Sequence, residues 1–155
     1  MAAIWAEIYR ELAVIVLAAM PIIELKGAIP IAMAKGYGIW PSFWLSFFGS
    51  SLPAVPIFLL LRPVLSYLKR KTFLQPLGIR VERKISNNRQ NIDKYGLFGL
   101  FFFVAIPLPG TGVWTGSALA AFLKLKFWPS VAAIILGNFL AGIIITLITL
   151  GFIII

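Results

Sequence analysis

An apolar stretch long enough to cross a bilayer carries a carboxylate and an ammonium near its centre. The stretch covers residues 12–34, and Glu24-Leu25-Lys26-Gly27-Ala28-Ile29-Pro30 stands in its middle. About 20 apolar residues span the hydrocarbon core as a helix. One charge placed near the bilayer centre costs roughly 2.5–3.5 kcal/mol on insertion scales. Gly27 and Pro30 both weaken a continuous helix. The pattern therefore predicts a broken helix that lines a polar cavity, and so a carrier. Leu12–Met20, stopped by Pro21, and Gly27–Ala34 form two pieces, each about half a bilayer long. Two such pieces around a polar turn make a re-entrant hairpin, a form tolerated where protein or water covers the turn. Residues 1–11 read as a separate interfacial helix, and the acidic Glu7 and Glu11 with Met20-Pro21 do not suit a cleaved signal.

Composition supports a membrane setting. Hydrophobic residues make up 61% of the 155, against about 45–50% in soluble domains. Of the 14 basic residues, nine lie between Arg62 and Lys94, against only Glu82 and Asp93. A juxtamembrane basic block without zinc spacing or a helix-turn-helix pattern points to anionic membrane lipids and not to nucleic acid. The positive-inside rule puts this loop in the cytoplasm. The spacing of Val64, Leu65, Leu68, Val81, Ile85 and Ile92 predicts two amphipathic surface helices there, parted near Pro76-Leu77-Gly78.

The chain has neither cysteine nor histidine. Disulfides and thiolate metal sites are excluded, a zinc site is not expected, and a proton relay would have to use carboxylates. No nucleophile–base pair and no cofactor motif stands out, so an enzyme is not expected.

Pro41–Leu61 holds 21 uncharged residues, one full span that ends at Arg62. Trp40 and Trp44 suit its interface, and Pro53 and Pro56 should kink it. Tyr95–Leu123 is a further run of 29 uncharged residues, broken by Pro107-Leu108-Pro109-Gly110-Thr111-Gly112 into a second hairpin. Lys124 and Lys126 close it, and Phe127–Ile155 supplies the last span.

Trp40-Pro41-Ser42 recurs as Trp128-Pro129-Ser130, 88 residues later, and Pro21 meets Pro109 and Gly49 meets Gly137 at the same offset. The expected fold is therefore all-α and integral to the membrane, in a single domain over residues 1–155. Repeat 1 covers 12–62, a basic amphipathic cytoplasmic linker 63–94, and repeat 2 95–155. Each repeat is a re-entrant hairpin plus one transmembrane helix. A hairpin returns to its own side and the helix crosses, so the second repeat is inverted relative to the first. Such repeats place substrate between the broken helices at the midplane.

The expected site takes Glu24, Lys26, Gly27 and Pro30 from the first hairpin. From the second it takes Pro107, Pro109, Gly110, Thr111, Gly112, Trp114 and Thr115. Glu24 can load and release a proton, or it can be a structural partner of Lys26 or cap a half-helix. Lys26 can meet an anionic headgroup or reach for water. Thr111-Gly112 offers backbone N–H groups at a half-helix start, while the hydroxyls nearby can equally satisfy the broken backbone. Lys26 and the two half-helix starts outweigh Glu24 in potential and favour an anionic amphiphile. Self-association through Gly49, Ser50, Gly137 and Gly142, giving a homodimer, would shield the cavity from lipid.

The Glu24–Pro30 stretch and Ala105-Ile106-Pro107-Leu108-Pro109-Gly110-Thr111-Gly112-Val113-Trp114-Thr115-Gly116 resemble the two signature stretches of the small multidrug export protein family. That family is similar to the wider DedA (VTT-domain) superfamily, and the resemblance covers essentially the whole chain. It implies paired re-entrant hairpins in the cell membrane, with proton-coupled transport or flipping of lipid-linked phosphates. The expected function is an ion-gradient-coupled flippase or carrier of such an anionic amphiphile. The alternatives are an exporter of cationic amphiphiles and a non-transport scaffold that remodels lipid.

Overall fold

Two of the helices in the computed structural model, which describes residues 1–69 and 89–154, are long and apolar enough to cross a membrane. They run over Ile39–Val64 and Phe127–Phe152. All regular structure among the described residues is helical: α1 (Ala2–Ala19), α2 (Glu24–Ala34), α3 (Ile39–Ser51), α4 (Ala54–Lys69), α5 (Arg89–Ala105), α6 (Val113–Phe122) and α7 (Phe127–Ile154). The first long helix is α3 and α4 end to end, parted at Leu52-Pro53. Pro53 and Pro56 bring no N–H, so the carbonyls of Gly49 and Leu52 lose their intrahelical donors and the helix breaks its line.

Several expected boundaries move. Residues 1–11 are not a separate helix but the first part of α1, which runs unbroken to Ala19. The first break falls at residues 20–23, and Gly27 and Pro30 lie inside α2. Pro21 is the breaker here. Pro30 removes only one N–H, the one that would have bonded to the carbonyl of Lys26. The candidate first span ends at Val64, near the expected Arg62, while α4 itself continues to Lys69, and α5 begins at Arg89, before the expected start at residue 95. The two amphipathic helices expected in the basic loop fall largely on residues 70–88, outside the described residues.

The second break occurs where proline and glycine place it, between Ala105 and Val113. Both hairpins then close alike. The N–H of Tyr37 bonds to Ala32 O at 3.1 Å, and that of Leu125 to Ala120 O at 3.0 Å. Gly36 and Lys124, one residue earlier, sit at φ 87° and 55°. These are the left-handed residues of two Schellman caps. The helix edges share the offset of 88 found in the sequence: α2 and α6 end at Ala34 and Phe122, and α3 and α7 start at Ile39 and Phe127.

Packing follows the same plan. Helix α1 lies on α3 and α5 on α7, while α2 packs on α7 and α6 on α4. Each hairpin thus leans on the long helix of the other half. Phe58, Leu100, Leu125 and Ile134 are fully buried in one apolar cluster; Leu25, Ile29, Phe43 and Phe47 form a second. At the far end of the first long helix the Arg62 guanidinium donates to Leu125 O and lies 4.6 Å over the Phe58 ring.

The glycines expected to face a second copy are used within the chain. A Cβ at Gly49 would stand 2.9 Å from Ala18 Cβ on α1, and one at Gly137 would stand 2.6 Å from Phe101 O on α5. One at Gly142 would meet the Phe43 ring at 2.8 Å. Ser50 is buried and bonded to Asn138. The sequence marks a close helix contact but not its partner. Gly49→Val and Gly137→Val are each expected to lower stability by about 1–3 kcal/mol through overpacking. The check is the thermal midpoint of the purified protein, and an unchanged midpoint would refute the contact.

Candidate functional site

The connection from α5 to α6 is held by its own polar atoms. Leu108 N–H bonds to Ile106 O at 2.8 Å and Thr111 N–H to Leu108 O at 3.2 Å. The Thr111 hydroxyl lies 2.7 Å from Ile106 O and 2.9 Å from Leu108 O as donor, and accepts from Leu108 N–H at 3.2 Å. A broken helix leaves orphan carbonyls and amides, and this threonine satisfies several of them. Gly110 and Gly112 complete the turn at φ 82° and 144°, a region that favours glycine.

Into this turn the first hairpin sends two charged side chains. Glu24, at the first position of α2, is itself left-handed at φ 47°, a conformation that costs about 1–2 kcal/mol for a residue with a Cβ. Its side chain is 10% exposed. Glu24 Oε1 accepts from Trp114 N–H at 3.3 Å, at the start of α6. The carboxylate therefore caps a helix of the other hairpin and meets the positive end of its dipole. Gly112 admits it: a Cβ there would lie 2.7 Å from Glu24 Cδ.

Lys26 is 3.8 Å from Glu24 Oε2 and donates to Leu108 O at 2.7 Å, to Thr111 O, and to Thr111 Oγ1 at 3.2 Å. Glu24 serves the amide side of the second break and Lys26 its carbonyl side. A third tie comes from Trp114, whose indole N–H donates to Ala19 O at 3.0 Å, at the end of α1.

Of the residues singled out from the sequence, Glu24, Lys26, Thr111, Gly112 and Trp114 converge, with Leu108 added through its carbonyl. Gly27 instead makes room against Ile23, whose Cγ2 would be 2.8 Å from a Cβ there. Pro30 lies further along α2 and Pro107 is half-buried in the turn. Pro109 and Gly110 are on the exposed side of the turn. Thr115 is exposed, and its hydroxyl turns back to Gly112 O at 3.4 Å.

One polar group was missed. Asn138 Nδ2 donates to Ser50 Oγ at 2.8 Å and to Ser51 Oγ at 3.0 Å, all between α3 and α7. Ser46 and Ser42, one and two turns before Ser50, and Ser117 on α6 are fully buried with hydroxyls that find no protein partner. A serine at every fourth position of an apolar helix, and a lone asparagine in α7, were the available signals. Among the described residues no group of three or more acidic, histidine or cysteine side chains could hold a metal ion.

Compared with models of known families, residues 24–144 match the one described as "Putative small multi-drug export protein". The match begins at Glu24, just after the first hairpin turn, and takes in the second turn, both Schellman caps and most of α7. No curated protein and no solved structure matches the chain.

Proposed function

Because the chain belongs to the small multidrug export family of DedA-like, multi-pass cell-membrane transport proteins, we propose that it is an ion-gradient-coupled carrier of an anionic amphiphile. Lipid-linked phosphates are the favoured class, and Glu24 is the coupling residue. One observation carries this reading: the carboxylate of Glu24 is held between the amide end of α6 and the ammonium of Lys26. Groups arranged to hold one carboxylate suit another small anion. With Glu24 charged, the chain's own anion fills the place. With Glu24 protonated, Trp114 N–H and Lys26 are left to a substrate headgroup, and release of the proton expels it. One proton and one anion then move together.

The membrane arrangement in this proposal is an inverted pair of re-entrant hairpins. Two contacts support it. Hairpin α1–α2 leads directly into the start of the first long helix, whereas the end of hairpin α5–α6 meets Arg62 near the other end of that helix. The hairpins would thus enter from opposite faces, with their turns meeting between, as at Glu24 and Trp114. The basic residues from Arg62 to Lys94 support a cytoplasmic side for the Arg62 end. A homodimer, if formed, uses a face other than Gly49, Gly137 and Gly142.

Proteoliposomes loaded with a labelled lipid phosphate or a cationic dye, with and without a pH gradient, provide the test. Lipid-phosphate movement that the gradient accelerates is expected. Gradient-driven movement of the dye alone would favour export of cationic amphiphiles, and movement of neither would favour a scaffold.

A further inference from the structure

The polar partners of the Lys26 ammonium are all oxygens. Two main-chain carbonyls (Leu108 and Thr111), the Thr111 hydroxyl and a carboxylate oxygen of Glu24 face it. An ammonium has only three protons to donate, so four oxygens more than saturate it. Two of these oxygens are held independently of the lysine. The carbonyl of Leu108 is fixed by Thr111 N–H, and the hydroxyl of Thr111 by Leu108 N–H and Ile106 O. Gly110 and Gly112 set the backbone directions. Three of the four oxygens in the ring belong to the α5–α6 turn, and the fourth comes from Glu24 at the start of α2.

We propose that this ring is a binding site for a monovalent cation of ammonium or potassium size, which Lys26 fills with its own side chain. Charge sets the valence. Carbonyls and a hydroxyl are neutral, and Glu24 contributes the one negative charge. Divalent hard cations take more oxygen ligands, usually with more than one carboxylate, or keep several waters. The present occupant sets the size: an ammonium fills the ring, and potassium is close to it in radius while sodium is distinctly smaller. Carbonyl rings that replace the hydration shell of potassium are a known solution to the same problem. The ring itself stands independently of the anion-carrier reading. That reading supplies only the occasion, since a lysine drawn toward a substrate anion vacates its oxygens to a cation from solution.

The experiment uses the full-length protein in detergent, as wild type and as Lys26→Ala. Thermal midpoints are measured in potassium, sodium, methylammonium and choline chlorides at equal ionic strength. The variant is expected to melt well below wild type in choline, and to recover saturably, by most of that difference, in potassium or methylammonium. Wild type should not distinguish the salts. Recovery in potassium alone identifies an inorganic ion as the ligand, and recovery in methylammonium alone identifies a primary amine. Thr111→Val placed on the Lys26→Ala background should weaken the recovery at least tenfold in salt concentration. Equal midpoints in potassium and choline would overturn the proposal, as would recovery in sodium only. If Lys26→Ala is too unstable to purify in choline, purification in potassium should restore it; failure in both overturns the proposal. Absence of anion flux in wild type, by contrast, would remove the carrier reading and leave these outcomes as they are.

Discussion

Glu24→Gln is expected to abolish the response of transport to a pH gradient while leaving the protein folded. The amide oxygen still accepts from Trp114 N–H and so still caps α6, at 3.3 Å in the parent. What goes is the titration, and with it the alternation between the chain's own anion and a substrate. Gradient-driven uptake in proteoliposomes should fall at least tenfold, with flux that remains becoming independent of pH. Glu24→Ala should lose the same response and also stability, because Trp114 N–H and Lys26 both lose a partner, at about 1–3 kcal/mol for each polar group left unsatisfied. Normal transport by Glu24→Gln at every pH would make Glu24 a cap and nothing more.

The largest effect on stability is expected at Gly112. Alanine there adds a Cβ 2.7 Å from Glu24 Cδ at a φ of 144°. Strain in a sparsely populated backbone region costs about 1–3 kcal/mol, and overpacking about as much again. Gly112→Ala should therefore destabilise by about 2–6 kcal/mol and expel the Glu24 carboxylate from its place, so that stability and pH response fall together. Gly110 is the control. It is left-handed at φ 82°, but nothing lies within 4 Å of its missing Cβ, so Gly110→Ala should cost only about 1–2 kcal/mol. Equal losses at the two positions, measured as thermal midpoints, would mean that backbone conformation and not the carboxylate decides.

Much of this was legible in the sequence, and unevenly. The second break was readable because prolines and glycines cluster at a point where no helix survives them. At the first break Pro21 was readable as the stop of α1, but the start of α2 was set three residues late because Gly27 looks like a breaker and is not one. Gly27 is small to make room for Ile23, a tertiary reason that leaves no local mark. Glu24 and Lys26 stood out because charge in an apolar segment is expensive. The partners of Lys26 did not, since main-chain carbonyls carry no signature in sequence. The glycines at 49, 137 and 142 announced close packing, yet a helix pattern does not say whether the neighbour is another chain or the same one. The asparagine at 138 was passed over because one amide in a long apolar helix is easily taken for incidental.

Two contacts described above share a property. Glu24 lies against Gly112, and Ser50 bonds to Asn138; both pairs are 88 residues apart. In the proposed inverted arrangement, corresponding residues of the two halves touch one another only on the dyad that would relate them, which would set the carboxylate on that axis. A dimer of identical half-length subunits could not build this centre. With glutamate in both copies, two side chains would compete for one space, and with glycine in both there would be no carboxylate. Joining the halves in one chain lets the two positions differ, and an acid can then occupy the axis alone.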